Sequence, residues 1–430
     1  MRTVVVEHLA RVEGHGGITV ELEGDTVANV RFGVFEGARL LEPLVRGKRY
    51  DEVAPVVSRI CSICSAAHSL TSLKATEKAL EVQVSRQTEL LRELLYLGES
   101  IESHALHLFL LAVPDYLNYP SAIALAADKP DAVLLGLRLK QLGNSIQETI
   151  GGRAIHPVNV VPGGFGRVPA ADRLIELHGG LLQGIQDSDA VIDLMASLPE
   201  ADFCHGDTVY AALVSPNPDS YYAGDEVAVV SNGDRSIVPA AAYKSLTNEA
   251  SVPHSHAKHS SFRQKPFMVG SLARLTVNPQ RLTGRLAVAR ERLKLELPSG
   301  NPMDNNKAQA VELIGDLDRA LAIIEQLLRD GIEDERPAAV HPHAGTGTAI
   351  TEAPRGLLIH SYSYDADGRI ASADVITPTA LNAASMELHF RRAVEQSAQR
   401  EEAAISKRLE MIARAYDPCI SCSVHLVRRR

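Results

Sequence analysis

Residues 59–68, RICSICSAAH, and residues 417–425, DPCISCSVH, each carry a C-x-x-C pair with a histidine close behind: His68 after Cys61 and Cys64, His425 after Cys419 and Cys422. Two thiolates at this spacing can hold one soft metal from a single turn of backbone, so two such pairs folded together offer four sulfurs to one site. The pairs stand near opposite ends of a 430-residue chain, which predicts a metal centre joining the two ends. Three simpler readings are weaker. Zinc modules keep their pairs within one small unit that lacks its own core, whereas more than three hundred residues separate these. A thioredoxin-type redox motif needs one pair in a shorter fold and leaves the other unexplained. A disulfide is not expected, because MRTVVVEHLARVEGH has charges at Arg2, Glu7 and Arg11 and none of the apolar stretch of a secretory signal.

With 45% hydrophobic and 23% charged residues the chain reads as globular, large enough for one extended core. A net charge of −9 argues against nucleic acid, whose backbone demands a basic surface. The longest apolar run, LHLFLLAV at 106–113, is too short to span a bilayer, so direct membrane insertion is not expected. If four of the five cysteines hold one centre, only Cys204 remains. The chain then has no set of four cysteines for an iron–sulfur cluster, and electrons must leave through another subunit.

Alternating stretches at 17–36 around Glu23-Gly24-Asp25, at 226–243 around Asn232-Gly233 and at 356–377 around Asp367-Gly368 predict β-hairpins. Helical periodicity predicts helices over 69–112, 131–150, 170–196, 279–297, 303–330 and 380–415. Pro/Gly-rich 153–169 and 339–356 read as ordered loops, and neither has a phosphate-loop pattern. The expected class is α+β and helix-dominated, a long-helix bundle core with peripheral β-hairpins. Two long helices ending side by side would bring the four sulfurs together. The chain is expected to be one domain: a β-rich region 1–50, a helical region 51–200, a β-rich insertion 201–278, a helical and hairpin region 279–425, and a tail 426–430.

RVEGH at 11–15, RICSICSAAH at 59–68, GGRAIHP at 151–157, EAPRG at 352–356 and DPCISCSVH at 417–425 occur in an order that resembles the large, catalytic subunit of a NiFe-hydrogenase. The likeness covers nearly the whole chain; the Ser-Val-His ending resembles the cytoplasmic, bidirectional, NAD(P)-linked group. It implies reversible heterolytic cleavage of dihydrogen at a Ni-Fe centre whose iron carries carbon monoxide and cyanide. All four cysteines would bind nickel, Cys61 and Cys419 as terminal ligands, Cys64 and Cys422 also bridging to iron. Cys419 is the preferred base and Arg355 a polarising lid, since a guanidinium is normally always protonated. Glu13 matches the gate residue that passes protons outward. Glu42, a backbone carbonyl near Val375, and His425 would hold a magnesium or iron ion near the C-terminus. His68, Pro354, Pro378, Thr379 and Asp417 would surround the centre, His68 donating to a bridging sulfur. Two departures stand out: Ser62 replaces the usual glycine after the first cysteine, and Ser103 occupies the place of a lid aspartate, beside Glu102.

The implied partners are an iron–sulfur small subunit, diaphorase-type NAD(P)/flavin subunits, and a maturation endopeptidase cutting between His425 and Leu426. The implied location is the cytoplasm. A reading from a different class is a non-catalytic, hydrogenase-like subunit with a structural metal in a larger redox complex. Such relatives have lost the cysteine pairs, and all four cysteines are present here. His254, His256 and His259 form a second cluster, but no carboxylate stands at a helpful spacing, which favours structural roles. His104 and His107, one turn apart, fit either a proton path or buried backbone satisfaction. Cys204 reads as a plain buried thiol.

Overall fold

A computed structural model of the chain describes residues 2–24, 26–37, 41–214, 222, 224–399 and 401–424. The N-terminal sheet is β1 (Arg2–Val6), β2 (Gly16–Glu23) and β3 (Thr26–Val34), antiparallel in that order. The predicted hairpin is its β2–β3 pair, closed at Glu23 opposite Thr26. A short pair, β4 (Val160–Val161) with β5 (Gly164–Phe165), lies in the 153–169 loop. The second predicted hairpin is β7 (Glu226–Ser231) with β8 (Asp234–Pro239), in a sheet of order β8-β7-β6-β9 with β6 (Val209–Val214) and β9 (Phe267–Met268). The third is β11 (Gly356–Tyr364) with β12 (Ile370–Ile376), and β10 (Gly345–Ala353) adds to it on the other side of β11.

β10 corrects the reading of 339–356 as loop. Its glycines mark close approach rather than a turn: a Cβ at Gly345 or Gly347 would stand 2.1 Å from the carbonyl oxygen of Ala79 or Ala75. Those carbonyls belong to α1 (Ser65–Ala79), which lies flat across β10 and β11.

The helices follow the periodicity, with breaks that it hides. α1 is followed by α2 (Arg86–Leu106), so predicted 69–112 is two α-helices, the second continued by a π-helical turn over His107–Ala112; Ser85 caps α2 by accepting from the Thr88 N–H at 3.0 Å. α1 is buried on nearly all sides and has no polar stripe to mark its phase. α2, α3 (Pro130–Gly151), α4 (Ala171–Ser197) and α5 (Asp304–Asp330) form the bundle. Of 279–297 only Gly284–Arg292 is α-helical. Predicted 380–415 divides into α6 (Pro378–Glu395), packed on β3, and α7 (Glu402–Ala415), packed on β1. No described helix is long and apolar enough to cross a membrane.

The sulfurs do not sit where two long bundle helices end together. Cys61 and Cys64 precede α1, and Cys419 and Cys422 lie in and beside a 3-10 turn after α7. The site therefore lies between the start of α1 and the C-terminal segment. A Gly347→Val substitution, which forces a side chain into the α1 backbone, is expected to cost about 1–3 kcal/mol, read as a lowered thermal midpoint with activity lost in parallel.

Candidate metal centre

Cys61 leaves the turn Ser58–Ile60 in an extended conformation, and Cys64 occupies the N-cap of α1. The Cys64 N–H donates to Cys61 Sγ at 3.1 Å, and Cys61 Sγ lies 3.2 Å from Cys419 Sγ. All four sulfurs are buried and lie within 4.8 Å of one another. Cys61 and Cys64 are free thiols, whereas Cys419 and Cys422 are joined as a disulfide, a departure from the expected four thiolates. Sulfurs held at one point can serve as two ligands or, two electrons more oxidised, as a bond; reduction restores the ligand pair. As a donor set, four buried sulfurs suit a soft or borderline metal. Burial opposes the Cys61 thiolate, but the contact with Cys64 and the Arg355 cation outweigh it and bring the thiol below its ordinary pKa.

The two chain ends are fastened around Glu13. The Ile420 N–H donates to the Glu13 carbonyl at 2.9 Å, and Glu13 pairs with Cys419 as a parallel bridge. The Glu13 side chain lies 3.1 Å from Cys419 Sγ, accepts from the Ser421 N–H at 3.1 Å and bonds the Ser421 hydroxyl. Gly14, at φ +85°, makes this approach possible: a Cβ would stand 2.7 Å from the Ser421 nitrogen. Thr379 accepts from the Cys419 N–H at 2.9 Å, so its hydroxyl serves the cysteine backbone. Neighbouring Pro378 opens α6 and is buried. Thr377 donates to the Cys422 carbonyl at 3.1 Å.

Arg355 reaches the site from the tip of a hairpin. Ala353 pairs with Gly356, so Pro354-Arg355 is the two-residue turn between β10 and β11. The guanidinium is buried, with Nε 3.0 Å from Asp417 Oδ1. Burial disfavours its charge, but Asp417, Cys61 and Cys64 more than offset this and hold Arg355 protonated beyond the ordinary arginine range. Burial likewise disfavours the Asp417 carboxylate, yet Arg355 brings its pKa below the usual value. Asp417 adopts φ +49° and accepts from Gln309 at 3.2 Å.

Three buried groups escaped the sequence reading. Arg274 donates to the Ala353 and Pro354 carbonyls at 3.0 and 2.9 Å and pairs with Glu312 at 2.6 Å and Glu352 at 3.1 Å, so it props the hairpin tip that carries Arg355. Glu99 of α2 accepts from the Ala66 and Ala67 N–H groups at 2.6 and 2.9 Å, fixing the start of α1 behind Cys64. Burial raises its pKa well above the usual carboxylate value. Asp115 pairs with Arg11 of the N-terminal region and, at 3.0 Å, with Arg414 near the end of α7. The only sequence signal for these was charge within apolar surroundings.

Glu42 accepts from the Val375 N–H at 2.9 Å, which brings together two members of the expected ion site. The third, His425, and the tail 426–430 lie outside the described residues. His68 Nδ1 is 3.0 Å from His360 Nε2, and His360 Nδ1 is 2.5 Å from the Tyr362 hydroxyl. His68 Nε2 is buried without a hydrogen-bond partner, so the expected bond to a cysteine sulfur is not formed. Burial alone lowers the His68 pKa to about 3, which keeps the ring neutral. Ser62 is exposed, and the Ser103 hydroxyl is buried without a partner. Glu102 pairs with Lys140 at 2.7 Å. His107 bonds the Arg414 carbonyl at 2.7 Å, and His104 faces Glu312 at 3.3 Å. Burial pushes the Cys204 thiol up to about 12.

Residues 39–150 and 217–425 match the family model described as nickel-dependent hydrogenase, and residues 3–36 match one described as HoxL-like. The chain is 38% identical to the alpha chain of sulfhydrogenase 1 from Pyrococcus furiosus, covering 99% of this chain and 98% of that one. It is 32% identical to a vhu-type F420-non-reducing hydrogenase chain of Methanocaldococcus jannaschii, over 93% of this chain and 99% of that one. Among solved structures, an NAD+-reducing [NiFe]-hydrogenase in the H2-reduced state superposes with a TM-score of 0.86 at 28% identity, covering 99% of this chain and 100% of that one.

An Arg274→Gln variant leaves Glu312 and Glu352 buried without their cation. It is expected to lose about 3–5 kcal/mol of stability, measured by denaturation.

Proposed function

This chain belongs to the nickel-dependent hydrogenase family and is a catalytic NiFe-hydrogenase large subunit, and from that premise we propose how its residues divide the work of splitting dihydrogen. The observation that carries the reading is the convergence of four buried sulfurs from both chain ends within 4.8 Å. The family implies a Ni-Fe centre. Cys61, Cys64, Cys419 and Cys422 are the residues that would hold this centre, whose iron is expected to carry carbon monoxide and cyanide. When bound, the two metals supply the Lewis acidity and redox capacity that separate dihydrogen into a proton and a hydride equivalent.

The remaining steps belong to the chain. In the metal-holding state, with its bond to Cys422 reduced to two thiolates, Cys419 would take the proton on its sulfur, which faces the Glu13 carboxylate. Glu13, 3.1 Å away, receives that proton and, being half-buried, passes it toward solvent. The Ser421 N–H and hydroxyl orient the carboxylate for both transfers. Arg355 stays protonated beside Asp417 and would act as a fixed positive lid over the bound centre, not as a base. Pro354 shapes that lid, Pro378 and Thr379 would border the bound centre, and His68 would lie beside it as a neutral ring.

Glu42, the Val375 carbonyl and His425 are assigned to a magnesium or iron ion near the C-terminus. An endopeptidase is assigned the cut after His425. Electrons leave through an iron–sulfur small subunit, since one cysteine outside the cluster cannot hold such a relay. Nicotinamide, reached through diaphorase-type subunits in the cytoplasm, is the proposed acceptor; the likeness to the NAD+-reducing enzyme supports it. A structural-metal scaffold is not favoured, because the relatives matched over the full chain are named as hydrogenases.

The purified complex should contain nickel and iron, show infrared bands of metal-bound carbon monoxide and cyanide, and carry a large subunit ending at His425 by intact mass. A nickel-free active enzyme would sink the assignment, and a nickel-loaded chain ending at Arg430 would refute the cut. A Glu13→Gln variant should keep metals and bands while turnover falls by about 10²–10⁴-fold, measured as dihydrogen oxidation. Full turnover in that variant removes Glu13 from the proton path.

A further inference from the structure

The segment 250–262, which carries His254, His256 and His259, runs as a strap between the N-terminal sheet and the chain end. The His256 N–H donates to the Val34 carbonyl of β3 at 3.1 Å, the Ser255 hydroxyl accepts from the Val34 N–H at 3.1 Å, and Ala257 bridges to Val424. The expectation that no carboxylate assists these histidines fails in three dimensions. Glu387 of α6, over a hundred residues away in sequence, places Oε1 2.8 Å from His254 Nε2 and 3.8 Å from His259 Nε2.

We propose that His254, His259 and Glu387 form a divalent-metal site of the zinc class, separate from the cysteine cluster, that pins the strap to α6 and β3. Its three ligand atoms lie within 4.8 Å of one another, a spread that a modest side-chain adjustment closes around one ion. Two imidazoles and a carboxylate are the borderline donor set that zinc takes when a fourth position stays open to water.

Two further observations point to a ligand. His259 Nε2 is buried and has no hydrogen-bond partner, although it faces the same carboxylate oxygen as His254. Outside the trio, the Phe32 N–H donates to Glu387 Oε1 at 2.7 Å and fixes the carboxylate as an outer partner does in metal sites. The neighbouring cation competes little, because Lys258 is paired with Glu249 at 3.0 Å. His256 is not among the converging ligand atoms, and its Nδ1 bonds the Glu36 carbonyl at 3.0 Å.

The consequence is mechanical. The ion would join the strap, β3 and α6 beside Val424, two residues past Cys422, and so brace the segment that presents the second cysteine pair.

The test uses the assembled, nickel-loaded enzyme, treated with a mild chelator and titrated with Co2+ as a visible probe. One saturable equivalent with d–d absorption, displaced by Zn2+, is expected. Binding should weaken at least about tenfold in His259→Ala and in Glu387→Gln, and stay unchanged in His256→Ala. Glu387→Gln keeps the acceptor for Phe32 and guards against simple misfolding, and dihydrogen oxidation in each variant reports an intact cysteine cluster. Absence of the absorption in the wild-type enzyme, or equal binding by the His259 and Glu387 variants, overturns the proposal.

Discussion

The parallel contact between Glu13 and the C-terminal turn holds the two ends of the chain together, and the metal centre depends on it. Its backbone bond, from Ile420 N–H to the Glu13 carbonyl at 2.9 Å, sets the register that puts the carboxylate against Cys419 and Ser421. Asp115 reinforces it by pairing with Arg11 on one side and Arg414 on the other. A bridge of this kind joins residues roughly as far apart as the chain allows, so its loop-closure entropy must be met by the packing between. The bundle α2–α5 and the α1–β10 contact supply that packing.

The cluster itself is assembled from three directions. α1 delivers Cys64 at its first turn and is anchored there by Glu99, whose carboxylate satisfies two N–H groups that the helix cannot. The C-terminal turn delivers Cys419 and Cys422. The β10–β11 turn delivers Arg355 over them, braced by Arg274 through the carbonyls of Ala353 and Pro354. A buried arginine between two buried glutamates is costly to desolvate, and here that cost goes with holding the turn that places the Arg355 cation beside the sulfurs.

Local signals were readable where their cause is local. The Asn-Gly and Asp-Gly dipeptides predict hairpins because they tolerate φ > 0: Asn232-Gly233 adopts it at both residues, and at Asp367-Gly368 the glycine adopts it in a longer turn between Tyr364 and Ile370. β10 was lost because its glycines serve contact with α1, and contact leaves the same composition as a turn. Helix boundaries at 80–85 and 396–401 were lost because apolar periodicity runs across both. Arg274, Glu99, Asp115 and Glu387 went unrecognised because each acts on residues more than thirty positions away.

The sequence by itself determined the donor chemistry: four cysteines in two pairs, an arginine in EAPRG and a carboxylate in RVEGH, in an order that resembles one family. Those are properties of side chains and spacings, and they need no coordinates. Tertiary structure alone decided which groups meet: that Glu13 reaches Cys419, that Asp417 rather than a residue at Ser103 partners Arg355, and that Glu387 joins His254 and His259. The physical reason is that side-chain chemistry is fixed residue by residue. Proximity across hundreds of residues is fixed only when helices and sheets pack.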